Sequence, residues 1–152
     1  MNTVRTAIAT MSELEAIAPL FDAYRQFYKK PSDLPLAKRF IGDRLRNKDS
    51  VILLASGESQ GVIGFCQLYP TFCSLEAKPI YSLYDLFVLP EARRSGVGKA
   101  LLQAAEAHAA AAGMVRMDLT TGKSNKPAQS VYESLGWVRD EVFYAYSKPI
   151  VS

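Results

Sequence analysis

A short loop with two glycines and three basic side chains is the part of the sequence best suited to chemistry. It reads Arg93-Arg94-Ser95-Gly96-Val97-Gly98-Lys99 and lies between an apolar stretch and a long alanine-rich stretch. Gly96 and Gly98 let the backbone turn tightly and approach a ligand, because no Cβ intervenes. A helix that begins here has unpaired first amides, which favour an anion. The pattern predicts a diphosphate cradle; the plain alternative is a strand-to-helix turn that binds nothing.

Two other phosphate-binding loops fail at single positions. The dinucleotide-binding pattern Gly-x-Gly-x-x-Gly needs a third glycine where this chain has Leu101. Gly122-Lys123-Ser124 imitates the end of a nucleoside-triphosphate loop, but the earlier glycine of that motif is replaced by Met117. A nucleoside triphosphatase is therefore not expected.

One carboxylate stands within an apolar stretch. Asp85 is followed directly by Leu86-Phe87-Val88, and a charge in so apolar a strand needs a reason. It is a candidate general base, a clamp for a cationic substrate, or the buried partner of an arginine, and the residues alone leave these three open. Glu76, Tyr81 and Tyr84 are further candidates that would act as a base through water.

These groups need strands and helices to position them. The hydrophobic patterns predict helices near Leu14–Tyr24, from Ser32–Pro35 to Asn47, over Val97–Ala112 and over Lys126–Leu135. Ser12 and Glu15 lie at capping-box spacing before the first of them. Predicted strands cover Val4–Ala9, Val51–Ala55, Val62–Tyr69, Ile80–Leu89, Met114–Thr120 and Val142–Ser147.

The order of these elements predicts how the sheet is built. Val51–Ala55 and Val62–Tyr69 form an antiparallel hairpin across a glycine-containing turn. Ile80–Leu89 and Met114–Thr120 are joined by a helix, and a right-handed crossover makes them parallel. We therefore expect an α+β fold with a mixed sheet and helices on both faces, as one domain over residues 1–152.

Composition narrows the classes of function. The chain has 152 residues and a formal charge of +3, and the segment from Glu91 to Lys126 alone carries an excess of basic residues. A local excess suits an anionic ligand better than nucleic acid. Two cysteines make no disulfide framework, and the single histidine, His108, makes no histidine-rich metal site. With no membrane-length apolar run and no secretory pattern, a cytoplasmic protein is expected.

Two blocks of sequence resemble one enzyme family. Arg93 to Gly98, read as Arg-x-x-Gly-x-Gly between a strand and a helix, resembles the coenzyme A loop of the GNAT (Gcn5-related N-acetyltransferase) superfamily. Residues 125–137 resemble that family's Asn-x-x-Ala-x-x-x-Tyr-x-x-x-Gly-aromatic segment through Asn125, Tyr132 and Trp137. Residues 21–28, 64–70 and 85–88 are similar to the branch that includes histone and polyamine acetyltransferases.

The resemblance implies a fold and a donor site. The sheet would be mostly antiparallel, with a central parallel strand pair splayed in a V and the pantetheine arm of acetyl-coenzyme A between them. Leu86, Phe87 and Val88 would lie along that arm, Asn125 would bind it or its neighbouring backbone, and Tyr132 would be the acid that meets the leaving thiolate. The diphosphate would lie against Arg93, Arg94, Ser95, Gly96, Val97, Gly98 and Lys99.

The acceptor is the least determined part of this reading. We expect its site to be built by the first two helices and the loop from Tyr69 to Lys78. Aromatic faces and negative charge suit a cationic amine, and they are offered by Tyr24, Tyr28, Tyr84, Asp22 and Asp33; ordinary helix surface is the alternative for each. A small amine is the first expectation, with no metal, nucleic acid or membrane partner. The alternatives are acetylation of a protein lysine or N-terminus, and a sensor that binds acyl-coenzyme A without catalysis. A homodimer paired through the last predicted strand is also expected.

Overall fold

Strand patterns in the first part of the chain assemble into a single sheet. The computed structural model describes residues 3–151. Its strands are β1 (Arg5–Ile8), β2 (Val51–Gly57), β3 (Gly61–Cys73), β4 (Lys78–Val88) and β5 (Met117–Asp118). They lie in the order β1-β2-β3-β4-β5; β4 and β5 are parallel and the other neighbours antiparallel. The mixed, mostly antiparallel sheet predicted from the sequence is confirmed.

The helices begin and end close to the residues expected. They are α1 (Leu14–Phe27), α2 (Leu34–Asn47), α3 (Val97–Ala111) and α4 (Lys126–Ser134). The chain divides into two compact units, one ending at Thr120 and the other beginning at Thr121. The first unit holds the sheet with α1, α2 and α3, and the second holds α4 and the segment after it. The single domain expected over the whole chain stays a prediction.

Alternation along β3 supplies the two faces of the sheet. Phe65 is fully buried and packs its ring against Phe21 of α1 at 6.3 Å. Its neighbour Gly64 points the other way, where an added Cβ would meet Val97 and Leu101 of α3 at 3.3 Å and the carbonyl oxygen of Phe87 at 3.0 Å. Glycine at this position therefore lets the start of α3 lie directly on the sheet. Helices cover both faces, as predicted.

The capping box before α1 differs from the one predicted. Thr10 and Glu13 form it, not Ser12 and Glu15: the backbone N–H of Thr10 donates to Glu13 Oε1 at 2.7 Å, and Thr10 Oγ1 accepts from the Ser12 N–H. The reason is a 3-10 turn over Met11–Glu13, which starts the helical path three residues before α1. Both spacings satisfy the motif, and the backbone conformation decides between them.

The two C-terminal strands depart from expectation in different ways. The predicted strand Met114–Thr120 is parallel to β4 as expected, but it pairs only through Met117 and Asp118. The predicted last strand Val142–Ser147 is wrong, because those residues have no regular secondary structure. The carboxylate of Asp140 accepts hydrogen bonds from the N–H groups of Val142 and Phe143 at 3.1 Å, and this local turn takes the place of a ladder.

Within residues 3–151, no helix has the length and apolar character needed to cross a bilayer.

The close approach of α3 to β3 makes a prediction about stability. We expect Gly64→Ala to lower the free energy of unfolding by about 1–3 kcal/mol, because the new methyl group overpacks against backbone and helix. Gly57→Ala is the control: its Cβ would meet chiefly the flexible side chain of Gln60. Urea denaturation of both variants measures the difference. Equal effects would show that the β3–α3 contact does not require glycine.

Candidate active site

An extra residue on β4 determines where Asp85 points. In the ladder with β3, Leu68 is opposite Leu83 and Gln67 is opposite Asp85, so Tyr84 is inserted between them as a β-bulge. Gln67 and Leu68 point to opposite faces of the sheet, and therefore Leu83 and Asp85 do so as well. Asp85 thus shares the α1 face with Phe65, while Leu83 shares the face covered by α3.

The side chain of Asp85 is buried and hydrogen-bonded. It is 5% exposed. Gln67 Nε2 donates to its Oδ2 at 2.7 Å, and the oxygen of the same amide accepts from Ser50 Oγ at 2.8 Å. The hydroxyl of Tyr24 also donates to Asp85. Within residues 3–151 no ion pair reaches Asp85, so an arginine partner does not explain its place in the strand.

Burial and hydrogen bonding act on Asp85 in opposite directions. Burial raises its pKa above the usual value of 3.8, whereas the bonds from Gln67 and Tyr24 lower it, and burial is the larger effect. The pKa of Tyr69 is raised to about 12 by burial and by the negative charge of Asp85. The same causes raise the pKa of Tyr24. The result is a carboxylate of enhanced basicity among neutral phenols.

Tyrosines from three elements lie near this carboxylate. Tyr24 of α1 and the C-cap residue Tyr28 meet edge to face with centroids 5.2 Å apart, and Tyr69 of β3 meets Tyr84 of β4 in the same way at 5.5 Å. The Tyr24 hydroxyl reaches the carbonyl oxygen of Tyr84 at 3.5 Å. Tyr28 and Tyr84 are more than half exposed. The structure therefore brings together three of the predicted acceptor residues, Tyr24, Tyr28 and Tyr84, near Asp85.

The acids of α1 and of the α1–α2 loop are engaged elsewhere. Asp33 caps α2, with its Oδ1 accepting from the Leu36 N–H at 3.1 Å. Asp22 accepts from the Asp33 N–H at 2.8 Å and from Ser32 Oγ at 2.7 Å, and these bonds lower its pKa. Both carboxylates thus hold the loop between the helices. Tyr81, a candidate base, stacks on His108 of α3 and lies on the face opposite Asp85.

The backbone of β4 beyond Ser82 has an edge that β5 does not pair. The N–H of Leu89 donates to Ile63 on β3 at 2.9 Å, so by alternation the backbone groups of Leu86 and Val88 point away from β3. These are the two residues whose backbone the resemblance assigns to the pantetheine arm. The carbonyl oxygen of Val88 accepts a hydrogen bond from Arg93 Nε at 2.8 Å.

Arg93 is held by more than this bond. Its guanidinium lies 5.5 Å from the ring centroids of both Phe27 and Phe87. The ring of Phe87 is buried between α1 and the arginine. Arg93 and Phe87, both predicted to bind the donor, therefore join the end of β4 to α1 and fix the start of the loop.

The rest of the loop leads into α3 through two left-handed residues. Arg94 has a φ of 65° and Gly96 a φ of 84°, and Ser95 Oγ donates to the Ala92 carbonyl at 2.6 Å. The first backbone bond inside the helix runs from the Ala100 N–H to the Gly96 oxygen. The amides of Val97, Gly98 and Lys99 come before it, at the positive end of the helix dipole. A Cβ on Gly98 would meet no protein atom within 4 Å, so space is open beside these amides.

The second unit carries the other block of sequence that resembles the family, on α4. Asn125 is the N-cap residue, and its Oδ1 accepts from the Ala128 N–H at 3.3 Å. Tyr132 lies on the same helix, with its ring centroid 6.1 Å from that of Trp137. The roles that the resemblance gives Asn125 and Tyr132 toward the donor stay predictions.

Two residues of the Asp85 cluster were missed as site residues by the sequence analysis: Ser50 and Gln67. Gln67 carried a usable signal, since it is a lone amide within the apolar run Val62–Tyr69. Ser50 offered none, because it precedes β2 and meets Gln67 only through the β2–β3 ladder.

Comparison with known proteins matches this chain to acetyltransferases. Residues 14–137 match the model of the acetyltransferase (GNAT) family. The chain is 48% identical to an uncharacterized N-acetyltransferase of Bacillus subtilis, YhfO, over 91% of this chain and 92% of that protein. It is 33% identical to a thialysine N-epsilon-acetyltransferase of Bos taurus over 56% of this chain and 51% of that protein.

A solved structure matches across nearly the whole chain. The crystal structure of a probable acetyltransferase superposes with a TM-score of 0.90 at 44% identity, covering 97% of this chain and 99% of the other. The family match and this likeness both include the loop before α3 and the bulged strand β4. The chain therefore belongs to the GNAT family of acetyltransferases.

Proposed function

We propose that this acetyltransferase moves the acetyl group of acetyl-coenzyme A to a primary amine of a small molecule, by direct attack within a ternary complex. The observation that carries the proposal is the buried, hydrogen-bonded Asp85, turned by the bulge toward Tyr24, Tyr69 and Tyr84. A carboxylate with tyrosine faces beside it suits an alkylammonium ion. The bovine relative is named for acetylation of a small amine.

The loop before α3 fits the diphosphate of the donor. The amides of Val97, Gly98 and Lys99 precede the first helical hydrogen bond, and Arg94 and Lys99 are exposed basic side chains beside them. The open space at Gly98 is where a side chain would obstruct a ligand. When bound, acetyl-coenzyme A supplies the acetyl group as a thioester, and we assign the N–H of Leu86 to its carbonyl oxygen.

Asp85 is the proposed base that deprotonates the acceptor ammonium group. An alkylammonium of pKa about 10.4 is neutral only rarely at pH 7, a cost of about 4.6 kcal/mol. In the proposed mechanism Asp85 removes that proton, and burial raises its pKa and so makes it a stronger base. The freed nitrogen lone pair forms the new N–C bond while the C–S bond breaks. Tyr132 then donates to the leaving sulfur.

A panel of amines with a coenzyme A thiol readout tests this function. We expect thiol release that depends on a small primary amine and exceeds release with lysine peptides or peptides with free N-termini. Faster release with peptides would favour the protein-acetylating alternative. Binding of acetyl-coenzyme A by calorimetry without thiol release for any amine would favour the non-catalytic sensor.

A cytoplasmic location and a homodimer belong to the same proposal. The segment 142–146, which was expected to pair the two copies, is not a strand.

Asp85→Asn separates a base from a clamp. We expect kcat/KM to fall by about 100- to 10,000-fold, the usual contribution of general base catalysis. The fall should lie mainly in kcat and should remove the acidic limb of the pH profile. Asp43→Asn, a change in an exposed ion pair with Arg46, is the control. A raised KM for the amine with kcat unchanged would identify Asp85 as a clamp only.

The same variant tests the raised pKa without any substrate. Folding raises the pKa of Asp85 above its usual value of 3.8, so Asp85 holds its proton more tightly in the folded protein than in the unfolded chain. The unfolding free energy therefore falls as pH rises through the window between the unfolded and folded pKa values. Asn cannot titrate, so the stability of Asp85→Asn relative to the native chain should increase across that window in denaturant melts. A constant difference would contradict the raised pKa.

Gly98→Ala should separate stability from donor binding. Alanine within a helix is favoured over glycine by about 0.5–1 kcal/mol, and the protein leaves room for the methyl group. We therefore expect an unchanged or higher melting temperature together with weaker coenzyme A binding by calorimetry. The control is Gly42→Ala, a glycine within α2 whose Cβ would make ordinary contacts with Leu14 and Arg46. Unchanged affinity in Gly98→Ala would remove the loop amides from the donor site.

Tyr132→Phe tests the proposed acid. The ring and its packing against Trp137 are kept, and only the hydroxyl is lost. We expect kcat to fall by about 100-fold or more, with little change in the KM for acetyl-coenzyme A. Tyr144→Phe changes an exposed tyrosine of the same unit and serves as the control. Full turnover in Tyr132→Phe would remove this residue from the mechanism.

A further inference from the structure

Gln67 is an unusual residue at the centre of this sheet. Its side chain is 0% exposed, and both polar ends of the amide are hydrogen-bonded, one to Ser50 and the other to Asp85. A buried amide is tolerated when both ends find partners. An apolar side chain of the same size would fill the position without needing either partner. The chemistry of the amide, and not its volume, is therefore what this position uses.

The direction of the hydrogen bonds that link Ser50, Gln67 and Asp85 follows from the carboxylate at their end. An ionised carboxylate only accepts hydrogen bonds, so Gln67 must present its NH2 group to Asp85. Its oxygen then faces Ser50, whose hydroxyl must donate. Ser50 thus fixes the orientation of the amide, and the amide holds Oδ2 of Asp85 from the neighbouring strand β3.

The other groups that face Asp85 are neutral donors or inert neighbours. Tyr24 of α1 donates to the carboxylate, and the negative charge of Asp85 contributes to the raised pKa of Tyr69 and Cys66 on β3. Tyr28 and Tyr84 reach it through contacts with Tyr24 and Tyr69. Among the described residues the nearby charges, Arg44 and Asp49, act on Tyr69. Gln67 is the donor whose own orientation is set by a further residue.

We propose that Gln67, oriented by Ser50, is a positioning residue that holds the Asp85 carboxylate by Oδ2, in the rotamer from which Oδ1 accepts the proton of the acceptor ammonium. The proposal rests on the function of Asp85 as the base. Gln67 transfers no proton: its N–H stays bonded throughout, while the ammonium proton moves to Asp85 Oδ1 and the nitrogen lone pair attacks the acetyl carbon. Removing the amide frees the carboxylate to rotate and removes a donor to its ionised form.

Two pairs of variants test this. Gln67→Met keeps a similar volume without a donor, and Gln67→Glu keeps the shape but offers an acid. Ser50→Ala removes the donor that orients the amide, and Ser50→Thr keeps a hydroxyl and is its matched control. For each, the pKa of Asp85 is followed by carbon-13 NMR of its carboxyl carbon, and the acidic limb of kcat/KM is measured with the best amine.

We expect Gln67→Met to raise both the NMR pKa and the kinetic limb by roughly one to two units, the value of a lost bond to a charged group. Ser50→Ala should move both in the same direction by less, and Ser50→Thr should restore the native values. Gln67→Glu should raise both, because two carboxyl groups in contact resist ionising together, so the second proton of the pair is lost only at higher pH. Thermal melts identify any variant that fails to fold; the Ser50 pair then carries the comparison.

The readouts distinguish this proposal from the proposed function. A lower kcat in Gln67→Met with the NMR pKa and the kinetic limb unmoved would overturn positioning and leave Gln67 as packing. An NMR shift without a shift of the limb would show that Asp85 is not the base and would overturn both. If no amine is acetylated, the NMR measurement still decides whether Gln67 acts on the Asp85 carboxylate: an unmoved pKa there overturns the coupling by itself.

Discussion

The insertion of Tyr84 into β4 is the constraint on which the arrangement of the site depends. Before the bulge, Tyr81 and Leu83 face α3, and the N–H of Tyr81 donates to β5 through the Arg116 oxygen. After it, Asp85 faces α1, and the N–H of Leu89 donates to β3. One extra residue therefore exchanges both the side-chain faces and the hydrogen-bonding edges of the strand. It turns the backbone of Leu86 and Val88 to the unpaired edge of β4 as it turns Asp85 to the aromatic face.

Keeping a carboxylate at that position opposes the stability of the core. Phe65, Phe87 and Ile52 pack around the same face of the sheet, and desolvation there disfavours the charged form of Asp85. The donors Gln67 and Tyr24 offset this without supplying a counter-ion. A cation beside Asp85 would have held the carboxylate ionised but lowered its basicity. Neutral donors leave it charged enough to accept a proton and basic enough to take one from an ammonium group.

Pattern in the sequence accounts for the elements and for the loop, but not for the cluster around Asp85. Helical spacing located α3 and α4, and the glycines that follow them mark their ends in the sequence itself, without reference to any tertiary contact. Asp85 was recognisable as a charge in an apolar run. Gln67 was recognisable as a lone amide, but its pairing with Asp85 was not, because a period-two pattern contains no sign of the bulge that places the two residues opposite each other. The predicted strand Val142–Ser147 failed for a related reason: alternation indicates a strand only when a partner strand is present, and Asp140 offers the backbone nearer acceptors.

The proposed donor loop and the proposed base are both positioned by β3 and β4. Gly64 on β3 lets Val97 and Leu101 approach the sheet, which sets where α3 begins and hence where its first amides lie. Gly64 is also opposite Val88 in the ladder, at the end of the strand that carries Asp85. Arg93 then joins Val88 to the rings of Phe27 and Phe87. Because ladder hydrogen bonds, close packing and the contacts of Arg93 fix these steps, the distance from the loop to the carboxylate is set by β3 and β4. A reaction in which two substrates must meet requires this fixed geometry.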